Sequence, residues 1–202
     1  MDHNDAMSGY DASTALVVVD VQNDFADPAG SLFVPRGDEV VDAVNAEIAA
    51  ATAAGAAVVY TQDWHPERTP HFAADGGVWP VHCVKDTWGA ELHPRLEVVR
   101  DAPVVRKGTG GEDGYSGFTE RDAVSGRHQP TQLEQILRRR GVERIVIAGL
   151  ATDYCVKETG LDACRLGFAT EVRTAAVAAV DLQPGDGQQA LDELARAGAR
   201  LT

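Results

Sequence analysis

Short, fully apolar runs alternate with stretches of helical period along most of this chain. Ala15-Leu-Val-Val-Val-Asp20 is apolar on both faces of an extended backbone and predicts a buried strand. Val40, Val41, Val44 and Ile48 share one stripe, so a helix is expected over 38–54, with Asp38 capping its start and Gly55 following its end. Further strands are expected over 56–62, 103–107, 144–148 and 170–173, with a short last one near Leu201. Further helices are expected over 130–140, 152–166 and 186–197, and Asp186 and Gln189 have the spacing of a capping box. Strands alternating with helices make this an α/β chain with a mostly parallel sheet covered on both faces.

Residues 63–102 break the pattern, being irregular and rich in Pro, Gly, Trp and His. A segment that long is usually functional. The first 14 residues have no basic or apolar run of the kind a signal peptide needs and read as a mobile tail. A single domain is then expected over 15–202.

Charge narrows the choice of partners. The formal net charge is −13, which argues against nucleic acid or an anionic membrane, since both require a basic surface. No apolar run is long enough to span a bilayer. Three cysteines give no disulfide framework, so a reducing, cytoplasmic setting is expected. A small-molecule substrate fits this composition, for a monomer or a homo-oligomer. Of the 18 basic residues only Lys85, Lys107 and Lys157 are lysines.

In a parallel sheet, ligands bind beyond the carboxyl ends of the strands. The expected strands deliver Asp20, then Asp63 and His65, then Lys107, and then Cys155 to that edge. Cys155 falls in the first turn of a helix that Thr152 or Asp153 would cap, where the helix terminus favours a thiolate and a developing oxyanion. By position alone it could equally be a small buried hydrophobe. Asp20, leaving a buried strand, would have a raised pKa and could act as base, with Lys107 stabilising both charges. Asp63, His65, His71 and His82 lie within the irregular segment, and one carboxylate with three imidazoles suits Zn²⁺, Fe²⁺ or Mn²⁺. Cys83 and Cys164 read as structural, and His93 and His128 as surface residues.

Asp20-Val-Gln-Asn-Asp-Phe25, Asp63-x-His65, His71-Phe, Trp79-Pro-x-His82-Cys83, Lys107-Gly, Tyr115-Ser-Gly-Phe118 and Gly149-x-Ala-Thr-Asp-x-Cys155 occur in that order. Together they resemble the nicotinamidase/pyrazinamidase group of the isochorismatase-like cysteine hydrolases. The resemblance implies a three-layer α/β/α sandwich with a Rossmann-like sheet. It implies a catalytic triad of Asp20, Lys107 and Cys155, and an oxyanion hole from the N–H groups of Ala151 and Cys155, with a cis peptide just before Ala151. It also implies one divalent ion, zinc with iron or manganese as alternatives, held by Asp63, His65, His71 and His82 and binding the substrate's pyridine nitrogen. Phe25, Trp79 and Tyr115 match positions lining the ring pocket.

The implied reaction is hydrolysis of nicotinamide to nicotinate and ammonia through a cysteine thioester, in NAD salvage, with pyrazinamide as a further substrate. Two other readings keep the same scaffold. One is a triad amidase acting on a carbamoyl or ureido compound. The other is a non-catalytic metal-binding protein, which would be expected to have lost part of the triad.

Overall fold

The computed structural model describes residues 9–202. Its strands are β1 (Thr14–Val19), β2 (Ala57–Asp63), β3 (Val104–Lys107), β4 (Thr119–Arg121), β5 (His128–Pro130), β6 (Arg144–Leu150), β7 (Ala169–Ala178) and β8 (Arg200–Leu201). Its α-helices are α1 (Asn23–Ala26), α2 (Gly37–Ala53), α3 (Leu133–Arg139), α4 (Lys157–Arg165) and α5 (Asp186–Arg196). Six strands form one sheet in the order β3-β2-β1-β6-β7-β8, with every neighbouring pair parallel. β4 and β5 form a separate antiparallel pair.

The alternation within β1 explains the layering. Leu16 and Val18 pack on one face, against Val40, Val41, Val44 and Ile48 of α2. Ala15, Val17 and Val19 pack on the other, with Leu133 and Leu137 of α3, Ala163 of α4 and Leu194 of α5. β1 is buried along its whole length, so both faces contribute to the core, at about 1.5–3 kcal/mol for each fully buried aliphatic side chain. The result is the three-layer α/β/α sandwich.

Local details depart from expectation. Asp38 lies inside the first turn of α2, which starts after Arg36, and caps nothing. Asp186 is the first residue of α5 and accepts the Gln183 N–H at 2.9 Å, so the box with Gln189 is not formed. β7 extends to Ala178, well past residue 173, because β6 carries it through an alanine-rich stretch of low intrinsic strand preference. The helix expected from 130 starts at Leu133, since Pro130 belongs to β5.

At the N-terminus, Tyr10 donates to Glu47 at 2.6 Å and packs on the α2 side of the core. Contacts with the domain therefore begin ahead of residue 15. The remainder of the expected tail, residues 1–8, lies outside the described residues. No helix among the described residues is long and apolar enough to cross a membrane.

Candidate active site

The sheet register brings the chemistry together. Asp63 and Lys107 end β2 and β3 as direct neighbours, and Val19, just before Asp20, is paired with Gly149 of β6. β6 approaches β1 so closely there that a Cβ on Gly149 would stand 2.1 Å from the Val19 carbonyl oxygen, and its φ is +120°. Only glycine satisfies both conditions. Asp20 turns off its strand with φ +47°, an uncommon conformation for a non-glycine residue.

Asp20, Lys107 and Cys155 are all buried. Lys107 Nζ is 2.7 Å from Asp20 Oδ2 and 3.7 Å from Cys155 Sγ. It also donates to Asp63 Oδ1 and to the Gly114 carbonyl. Asp20 Oδ1 accepts the Thr61 hydroxyl at 2.6 Å. One oxygen each of Asp20 and Asp63 and the Cys155 sulfur lie within 4.8 Å of one another.

Burial pushes the Asp20 carboxyl up; Lys107 pulls it back and Asp63 pushes it further, leaving it at about 6. Burial alone would lower the Lys107 ammonium, but Asp20 and Asp63 hold it well above its usual range. Burial also raises the Cys155 thiol well above its usual range, although Lys107 opposes the shift. Burial thus works against the thiolate that the helix terminus was expected to favour. The Cys155 sulfur lies close to the Asp20 carboxylate.

The helix start also differs from expectation. Thr152–Val156 form a single π turn after Ala151, and neither Thr152 nor Asp153 caps it. The Asp153 carboxylate instead accepts the N–H groups of Val180 and Asp181 at 2.9 and 2.8 Å. The Leu150–Ala151 peptide is cis, as the resemblance implies.

The irregular segment folds so that its histidines converge. His65 N–H donates to the Cys83 carbonyl and Lys85 N–H to the His65 carbonyl, which sets His82 beside His65. The Trp79 carbonyl accepts the Ala73 N–H, which places Trp79 next to Phe72. One ring nitrogen from each of His65, His71 and His82 lies within 4.8 Å of the others. Asp63 joins this cluster through Oδ2, 3.8 Å from His65 Nε2.

The donor set fits a metal ion. His82 Nδ1 is 2.7 Å from the Pro80 carbonyl and His65 Nδ1 is 3.2 Å from that of Gly108. A carbonyl only accepts, so both Nδ1 atoms carry the proton and both Nε2 lone pairs remain available. His65 Nε2 is buried with no hydrogen-bond partner. Burial lowers His82 and takes His71 down to about 3, which favours neutral imidazoles. For Asp63, burial pushes upward, but Lys107 and the histidines outweigh it and keep the carboxyl ionised.

Beside the thiol and the imidazoles lies a cleft. Phe25, Trp79 and Tyr115 line it, together with Ala151 and Cys155. The Trp79 indole N–H donates to the Tyr115 hydroxyl at 2.8 Å. Tyr154 also lines the cleft, as do Leu32, Val34 and Val180, which were not expected there. The Tyr154 ring meets Trp79 edge-on, with ring centroids 4.8 Å apart.

Several supporting residues went unnoticed in the sequence. The Gln22 carboxamide clasps the Asp63 backbone with two 2.8 Å bonds. Asp24 accepts the Cys83 N–H at 2.7 Å and so anchors the segment carrying His82. The DVQND motif shows these residues but gives no sign of their roles. His93, expected at the surface, is buried, with Nε2 3.9 Å from Asp27. His128 is exposed, as expected.

The isochorismatase domain model matches residues 14–202. A nicotinamidase of Escherichia coli K12 is 41% identical, with 93% of each chain covered. The crystal structure of a pyrazinamidase of Pyrococcus horikoshii in complex with zinc superposes with a TM-score of 0.84 at 40% identity, covering 94% of this chain and 98% of that one. A structure of PnC1 from L. infantum in complex with nicotinate gives a TM-score of 0.85 at 35% identity, covering 96% and 94%. With a family match spanning nearly all of its length and relatives this close over their own full domains, the chain belongs to the isochorismatase-domain family, among its nicotinamidases.

Proposed function

We propose that this protein hydrolyses nicotinamide to nicotinate and ammonia, with Cys155 as nucleophile, Asp20 as base and acid, and Lys107 as their shared cation. One observation carries the reading. Cys155, backed by the buried Asp20 and Lys107, lines an aromatic-lined cleft, and His71 and His82 of a convergent set of imidazoles line it as well.

In this mechanism the ring of the substrate lies among Phe25, Trp79 and Tyr115, with its carboxamide toward Cys155. Asp63, His65, His71 and His82 would hold the metal ion. Zinc suits one carboxylate and three imidazoles, and the pyrazinamidase neighbour contains zinc. When bound, the ion supplies a Lewis-acid contact for the pyridine nitrogen, which fixes the orientation of the ring.

Asp20 takes the Cys155 proton, and Lys107 compensates the new negative charge on sulfur. The thiolate attacks the carboxamide carbon, and the N–H groups of Ala151 and Cys155 receive the oxyanion. The C–N bond breaks as protonated Asp20 donates to the departing ammonia, leaving a thioester. Asp20 then takes a proton from water as that water attacks the acyl carbon. Nicotinate leaves, and the thiolate recovers the proton from Asp20.

The test is product stoichiometry with purified protein. Equal amounts of ammonia and nicotinate from nicotinamide support the proposal. No release by folded, zinc-loaded protein contradicts it.

A further inference from the structure

Glu120 stands on β4, outside the triad and the ligand set, yet its carboxylate is turned inward to the loop that follows Lys107. Glu120 Oε1 accepts the Gly108 N–H at 2.6 Å. The other side of the same residue faces the metal cluster: the Gly108 carbonyl is 3.2 Å from His65 Nδ1. We propose that Glu120 is a positioning residue for the metal centre, holding Gly108 so that His65 presents its free Nε2 to the ion. This rests on the reading of Asp63, His65, His71 and His82 as the ligand set.

Three observations support it. The His65 ring lies directly on Gly108, where an added Cβ would stand 2.5 Å from His65 Cε1 and 2.6 Å from Nδ1. Any shift of Gly108 is therefore passed to the ring. The loop has little stiffness of its own, since Gly108-Thr-Gly-Gly111 follows the end of β3 and Gly108 has φ +70°. It therefore needs an outside anchor, and the Glu120 carboxylate reaches Thr109 as well as Gly108.

The chain of groups is also polarised in one direction. The Thr109 N–H, which the Glu120 carboxylate also reaches, belongs to the same peptide as the Gly108 carbonyl, so drawing on it strengthens that carbonyl as acceptor of the imidazole N–H. Such outer partners fix the tautomer of a ligand histidine and raise its basicity, and losing one typically weakens metal binding about 10- to 100-fold.

The test compares full-length wild-type, E120A, E120Q and H65A proteins. Zn²⁺ retention is measured against a competing chelator, and the visible spectrum is recorded after Co²⁺ substitution. The expected result is zinc binding weakened about 10- to 100-fold in E120A with an altered cobalt spectrum. E120Q keeps an acceptor oxygen and should fall between E120A and wild type.

A lowered melting temperature in E120A, with wild-type zinc affinity and cobalt spectrum, would overturn the proposal and leave Glu120 a purely structural role. If E120A does not fold, E120Q decides: affinity and spectrum matching wild type overturn it. H65A separates this from the underlying reading. H65A holding zinc as tightly as wild type refutes the ligand set itself, whereas H65A losing zinc while E120A keeps it refutes only the role of Glu120.

Discussion

The Lys107 ammonium lies 2.7 Å from the Asp20 carboxylate, and both side chains are wholly removed from solvent. A second carboxylate, Asp63, shares the same ammonium. One cation thus holds two buried anions together, one assigned to proton transfer and the other to metal binding.

Lys107→Met should be damaging in two respects. It leaves Asp20 and Asp63 facing each other without a cation, and breaking a buried charge pair in this way costs about 3–5 kcal/mol. Denaturant unfolding should register that loss, and kcat should collapse in whatever protein remains folded. Lys107→Arg should not restore activity, because a planar guanidinium cannot occupy the small space among Asp20, Asp63 and the Gly114 carbonyl. Near-wild-type kcat in K107R would refute this role.

Asp20 acts as a base only when ionised, so kcat/KM should fall as pH drops through its pKa. That value is about 6 in the metal-free protein, and a divalent ion next to Asp63 would lower it. Thr61→Val removes the hydroxyl that donates to Asp20 Oδ1. Losing one hydrogen bond to the carboxylate, worth about 1 kcal/mol, should move the acid limb upward by roughly 0.5–1 pH unit. A pH–rate profile of T61V unchanged from wild type would argue that Asp20 is not the titrating base.

Metal removal should act mainly on substrates with a ring nitrogen. With zinc bound, nicotinamide should be preferred over benzamide. After chelation that preference should shrink, with KM for nicotinamide rising toward that for benzamide. His82→Ala should reproduce the effect, with its zinc content measured directly. Equal preference for nicotinamide in loaded and stripped protein would remove the proposed role for the ion.

Asp153→Ala should loosen the wall of the cleft. Asp153 grips the Val180 and Asp181 N–H groups, Val180 lines the cleft, and Cys155 lies two residues away in the same π turn. Losing both charge-assisted bonds should raise KM and lower thermal stability, at about 1.5–3 kcal/mol for each bond. Asp153→Asn keeps one acceptor and should be milder. Unchanged KM and melting temperature in D153A would show that the clamp is dispensable.

How much of this could be read beforehand follows from the physics of each element. β1, β2 and β6 are buried on both faces, so they appear as continuous apolar runs, and the residues at their ends could be located. The β4–β5 pair was missed because its strands are short, polar and largely exposed. Thr61, Gln22 and Asp24 act through contacts more than 40 residues away, which no local pattern carries. Glu120 is a polar residue in a polar hairpin until the fold sets it against Gly108. The helix caps failed for another reason: Asp38, Asp153 and Asp186 have the right chemistry for capping, but each is engaged elsewhere or sits inside the first turn.

The most direct test is ammonia release from nicotinamide by zinc-loaded wild-type protein and by zinc-loaded Cys155→Ala, with folding and metal content matched. The expected result is stoichiometric ammonia and nicotinate from wild type, and a loss of about 10⁴-fold or more in the variant. Comparable ammonia release from both would contradict the assignment of Cys155 as the nucleophile.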